Sequence, residues 1–116
     1  MHIRREIEMA GKSIPTDVKQ DVEKLVEQFN RDELAQWGRA YSVRFHGRHI
    51  YLDRDDGGGP SPIFRLEYNG KMTNWEFAIY KYSSDRYDPE ECWFPGFELV
   101  DGTIQGAMRA GMMAYD

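Results

Sequence analysis

In SIPTDVKQDVEKLVEQFNRDEL, residues 13–34, apolar side chains recur at Val18, Val22, Leu25, Val26 and Phe29, the face of one helix, with Lys, Gln and Glu opposite. Pro15 or Thr16 is suited to start this helix, and Asp17 suits the positive end of its dipole. The helix is expected to end by Gly38, with Trp37 folded back onto the core.

The period then changes from helical to two. YSVRFHGRHIYLDR, residues 41–54, alternates Tyr41, Val43 and Phe45 with Ser42, Arg44 and His46, and resumes after Gly47-Arg48 with Ile50 and Leu52. A two-residue II′ turn at Gly47-Arg48 sets Phe45 opposite Ile50, Val43 opposite Leu52 and Arg44 opposite Tyr51, with the apolar side chains on one face. PIFRLEYNGKMTNWEFAIYKY, residues 62–82, predicts a second hairpin around Asn69-Gly70-Lys71. Its expected register pairs Leu66 with Trp75, Phe64 with Phe77, and Arg65 with Glu76 as a cross-strand ion pair. DRDDGGGPSP, residues 53–62, reads as a mobile surface linker between the hairpins.

At the C-terminal end, Ile104, Met108, Met112 and Tyr115 recur at helical spacing among Gly106, Ala107, Ala110, Gly111 and Ala114. Glycine inside a helix costs up to about 1 kcal/mol against alanine, so two of them point to close packing. The predicted fold is α+β: an N-terminal helix, a four-stranded antiparallel meander and a C-terminal helix, in a two-layer sandwich with one sheet face open. The 116 residues suit one domain, with residues 1–13 as a loosely packed arm.

Composition narrows the function classes. A hydrophobic share of 41% and an aromatic share of 14% are those of a folded chain with a largely aromatic core. The net charge of −5 opposes binding to a phosphate backbone over the whole surface. No apolar run approaches a membrane span, and MHIRREIEMAGK does not read as a secretory signal, so a cytoplasmic protein is expected. The single Cys92 makes no internal disulfide, which suits a reducing compartment.

The expected open face gathers Arg44, His46, His49, Tyr51, Asp53, Arg65, Glu67, Glu76, Tyr80 and Tyr82. Tyr and Arg are enriched at interface hot spots, whereas a solvated face of ion pairs has the same composition. His46 and His49 flank the first turn, but two imidazoles do not complete a zinc site, and no metal or cofactor is expected. DRDDGGGP fails the calcium-loop pattern, with Phe64 where the bidentate Glu belongs, and it feeds no phosphate-binding helix.

YSSDRYDPEECWFPG, residues 82–96, concentrates Asp85, Asp88, Glu90, Glu91 and Cys92 among aromatic rings. As a catalytic loop it places two glutamates directly before its only thiol, the wrong neighbourhood for a thiolate. As a structural strap it turns at Asp88-Pro89 and lets Trp93, Phe94 and Phe97 seal an edge of the core, and this reading is preferred. The leading expectation is a non-enzymatic domain that binds a protein partner, or itself as a homo-oligomer, through the sheet face and the aromatic loop. Its rival is a ligand-binding protein or enzyme with a pocket between the sheet and residues 82–97, using His46 or His49 with Asp88 or Glu90. Single-stranded nucleic-acid binding ranks third, opposed by the interleaved Asp53, Glu67 and Glu76.

Overall fold

The computed structural model describes residues 13–116, so the expected N-terminal arm lies, apart from Ser13, outside the described residues. Helix α1 (Thr16–Phe29) follows Pro15 and buries Val18, Val22, Val26 and Phe29, the face its spacing predicts. It continues as one π-helical turn, Asn30–Leu34, and a 3₁₀ turn, Ala35–Trp37, closed by Gly38 at φ 69. Trp37 does not fold back. The wider π turn sends Leu34 into the core at 1% exposure, leaving Trp37 67% exposed at the rim.

The expected α+β architecture is present with one strand more than the pattern predicts. The described residues form β1 (Ala40–His46), β2 (His49–Asp55), β3 (Pro60–Glu67), β4 (Glu76–Lys81) and β5 (Arg86–Asp88), an antiparallel meander in that spatial order. The first hairpin pairs Phe45 with Ile50, Val43 with Leu52 and Arg44 with Tyr51, as its alternation requires. Gly47 alone takes the positive φ, 60°, consistent with a II′ turn.

The second hairpin is displaced by two residues from its expected register. Phe64 faces Ile79, Leu66 faces Phe77, Arg65 faces Ala78, and Glu67 faces Glu76, so the expected Arg65–Glu76 pair is not formed. The cause is Trp75, whose indole is buried and whose backbone N–H donates to the Gly102 carbonyl (2.9 Å), drawing it out of the strand. A two-residue slip conserves side-chain parity, so the faces stay as predicted.

The 53–62 linker is shorter than its composition suggests. Asp53, Arg54 and Asp55 complete β2, Pro60 and Pro62 lie in β3, and only residues 56–59 form the loop. A bulge between Leu52 and Asp53 in the β2–β3 pairing accommodates this; Asp53 faces Pro62, and both Ile63 and Phe64 are buried. Arg54 continues the inward parity of Ile50 and Leu52, which puts a guanidinium in the core at 2% exposure.

Helix α2 (Ile104–Ala114) starts at Thr103, whose hydroxyl accepts from the Gly106 N–H (3.0 Å). It buries Ile104, Gly106, Ala107, Met108, Ala110 and Gly111 against α1 and the sheet. A Cβ on Gly111 would lie 2.5 Å from the Tyr41 hydroxyl and 2.9 Å from Ile63, so the glycine sets how closely helix and sheet approach. Tyr41 in turn donates to the Met108 carbonyl (2.8 Å) and packs between Phe29 and Phe64. None of the described helices is long and apolar enough to cross a membrane.

Gly111→Ala is expected to destabilise the fold by about 1–3 kcal/mol in urea denaturation, overpacking exceeding the gain of up to about 1 kcal/mol in helix propensity. Arg54→Met is expected to cost on the order of 3 kcal/mol, since the helix-end carbonyls it bonds lose their donor.

Candidate binding groove and the tyrosine face

The residues expected on the open face do lie on one surface, but they are largely occupied with one another. Arg44 grips Asp53 through Nε (2.7 Å) and Nη2 (3.2 Å) and lies over Tyr51, 5.0 Å from the ring centre. His49 stands opposite His46 and meets Glu67 through Nε2 (3.4 Å), while His46 is exposed. Glu76 is exposed, across from the like-charged Glu67. Among the described residues no three His, Cys, Asp or Glu side chains gather as metal ligands.

The open face carries a layer of packed rings. Tyr87 of β5 packs edge-on to Tyr51 (5.3 Å) and to Tyr80 (5.0 Å), with Arg65 over its ring (5.5 Å). Small, buried Ala78 opposite Arg65 leaves room for that ring to reach across the sheet. The packing continues through Tyr80–Tyr82 (4.9 Å) and Tyr82–Tyr115 (5.4 Å), so one run of rings turns from the sheet face onto the end of α2. The expected surface omitted Tyr87, because three strand residues between turn formers leave hardly a period to read.

Beyond Tyr82 the loop is fastened at several points. Lys81 Nζ binds Glu91 (2.7 Å) and approaches Asp88 (3.8 Å), which Arg86 also meets (3.4 Å). Glu91 also accepts the Trp93 N–H (2.8 Å), and Asp88 accepts the Glu90 N–H (3.0 Å). Phe94 stacks on Phe77 (5.8 Å, 22° between planes). Gly96, at φ 98, lies so close to α2 that a Cβ there would come 2.8 Å from the Met113 Cβ. The strap reading holds for Phe94 and fails for its neighbours: Phe97 is exposed, and Trp93 is 91% exposed.

Trp93 stands beside a groove of about 260 Å³ bounded by Ile79 and Tyr82 of the sheet side, Phe94 of the loop and Tyr115 at the end of α2. This is the junction at which the rival expectation put a pocket, but neither histidine lines it. The Lys81–Glu91 pair forms its polar wall. The hydrogen bond from Lys81 holds the Glu91 carboxyl below the usual carboxylate range, helped by the Trp93 N–H, and the same bond raises Lys81. The two tyrosines are set at right angles, 88°. Tyr82 donates to the Pro62 carbonyl (2.8 Å) and Tyr115 to the Tyr80 carbonyl, so both rings are fixed by the backbone.

Burial also raises the phenol pKa of Tyr41, Tyr82, Tyr87 and Tyr115. A tyrosine in the unfolded chain ionises near 10, so above that pH the folded chain holds more protons and stability declines. The urea midpoint is therefore expected to be insensitive to these phenols below pH about 10 and to fall above it, with phenolate absorbance appearing as the chain unfolds. Trp93→Ala is expected to change stability by no more than about 0.5 kcal/mol, as befits an exposed site, whereas Phe94→Ala costs clearly more. Equal losses would mean that Trp93 is part of the strap after all.

No protein-family model matches the chain, and no curated protein or solved structure matches it either.

Proposed function

We propose that this domain binds a protein partner without catalysing a reaction, and that the contact centres on the groove between β4, the 82–97 loop and the end of α2. The observation that carries this reading is Trp93: an indole 91% exposed, on a loop tied down on both sides, next to a groove walled by Tyr82, Phe94 and Tyr115. Holding a large apolar ring in water has no folding benefit, and Trp and Tyr on a rigid support are the residue types that dominate interface energetics. The loop's acids favour binding over catalysis, because Asp88 and Glu91 serve Lys81, Arg86 and the backbone. The tyrosine face joins this surface through Tyr82 and supplies its extension.

Affinity capture from a lysate of the native host tests the reading with three folded proteins: wild type, Trp93→Ala, and the Tyr51, Arg65, Tyr80 triple alanine variant. A partner held by wild type and weakened at least about tenfold by Trp93→Ala is the expected outcome, the size of an ordinary hot spot. Loss in the triple variant as well extends the contact over the sheet face. Capture undiminished by Trp93→Ala would overturn the groove as the contact.

A further inference from the structure

The chemistry of the groove suggests what enters it. We propose that it accepts the methylated ammonium group of a trimethyllysine side chain carried by a partner protein, in the corner formed by Tyr82 and Tyr115 beside Trp93. This deepens the binding reading above and rests on it. Two rings set at 88° with centres 5.4 Å apart make two walls of a cage, and Trp93 and Phe94 line the same groove. Ring faces carry the negative side of the aromatic quadrupole, so a cation too bulky and too poorly hydrated to prefer water is held among them.

The size fits. Pockets for drug-sized ligands run from about 300 to 1,000 Å³, and this groove, at about 260 Å³, suits a single side chain. The formal charges at its polar wall cancel, since Lys81 is paired with Glu91 at 2.7 Å. A guest therefore meets the rings with no excess cation opposing it. The chain's net charge of −5 draws cations toward the molecule and disfavours anions, which decides between a cationic occupant and an acidic one. Tyr82 and Tyr115 already spend their hydroxyl protons on backbone carbonyls, so the two rings offer a guest their faces rather than donors, and an ammonium shell of methyl groups asks for none.

The test uses the whole chain and three probes: tetramethylammonium, choline and 3,3-dimethylbutanol, the uncharged analogue of choline with the same shape. Binding is read from the methyl proton resonances of the probe, shifted by ring currents, and from the tyrosine ring resonances of the protein. Saturable binding of both cations is expected, with choline about threefold to thirtyfold tighter than the uncharged analogue. Trp93→Leu, which keeps the site apolar, is expected to weaken choline more than the alcohol. Equal binding of choline and the alcohol, or a Trp93→Leu variant that binds choline unchanged, would overturn the ammonium assignment and leave the groove as an apolar contact. No binding of any probe would also overturn it, while Trp93-dependent capture of a partner would separately uphold the broader reading.

Discussion

The Arg54 guanidinium is the interaction on which the architecture turns. Parity along β2 sends it inward after Ile50 and Leu52, and a buried cation costs several kcal/mol unless its donors are met. They are met by Asp56 through two bonds (2.8 and 3.1 Å), by the Gly111 carbonyl (3.1 Å) and by the Tyr115 carbonyl. These carbonyls belong to the last turn of α2 and the residue that ends it, where the helix dipole is negative and backbone acceptors lack intrahelical donors. A charge that would be a liability in the core thus becomes the cap of a helix. Arg39, reaching Asp56 (3.5 Å) and Asp116 (3.7 Å), braces the outer side of the same cluster.

Fixing the end of α2 has consequences beyond its own stability. Tyr115 is bonded through its carbonyl to Arg54 and through its hydroxyl to the Tyr80 carbonyl, so its ring has one position relative to β4. That position puts it against Tyr82, which Pro62 fixes from the other side. The groove is therefore assembled from the core outward: cation, helix end, paired rings. Gly111 allows the helix to come near enough to Tyr41 and Ile63 for the cap to reach, and Gly96 lets the loop lie against α2. Two positions without a Cβ thus set distances that larger residues would open.

What could be read from the sequence follows from how each signal arises. Helical and strand periods are local, so α1, α2, the first four strands and the in–out parity of residues 41–52 and 64–80 were legible, including the face that carries Arg44, Tyr51, Arg65 and Tyr80. The second hairpin's register was not, because it depends on Trp75 bonding Gly102 across the fold, and no local spacing records that. Arg54 left a signal, the inward parity of residues 50 and 52, but the polar and glycine-rich DRDDGGGP drew attention to a loop instead. β5 is too short to have a period, and with it Tyr87 was hidden. The groove lay furthest from view, since its walls come from β4, the loop and the terminal helix, which meet only through long-range contacts such as Tyr115 to Tyr80 and Phe94 on Phe77.

The opposition between strap and site dissolves once individual bonds in the 82–97 loop are separated. Phe94 on Phe77, Glu91 on Lys81 and Gly96 against Met113 fasten the backbone, and each is a structural contact. Trp93 lies among these anchors and contributes to none through its side chain; its N–H alone is bonded, to Glu91. A mobile loop would lose conformational entropy when a partner ordered its indole, whereas here that entropy has been removed on folding. The same contacts that make the segment a strap therefore prepare an exposed ring for binding, and Trp93, the most exposed of the three expected to seal the core, is held in place by the others.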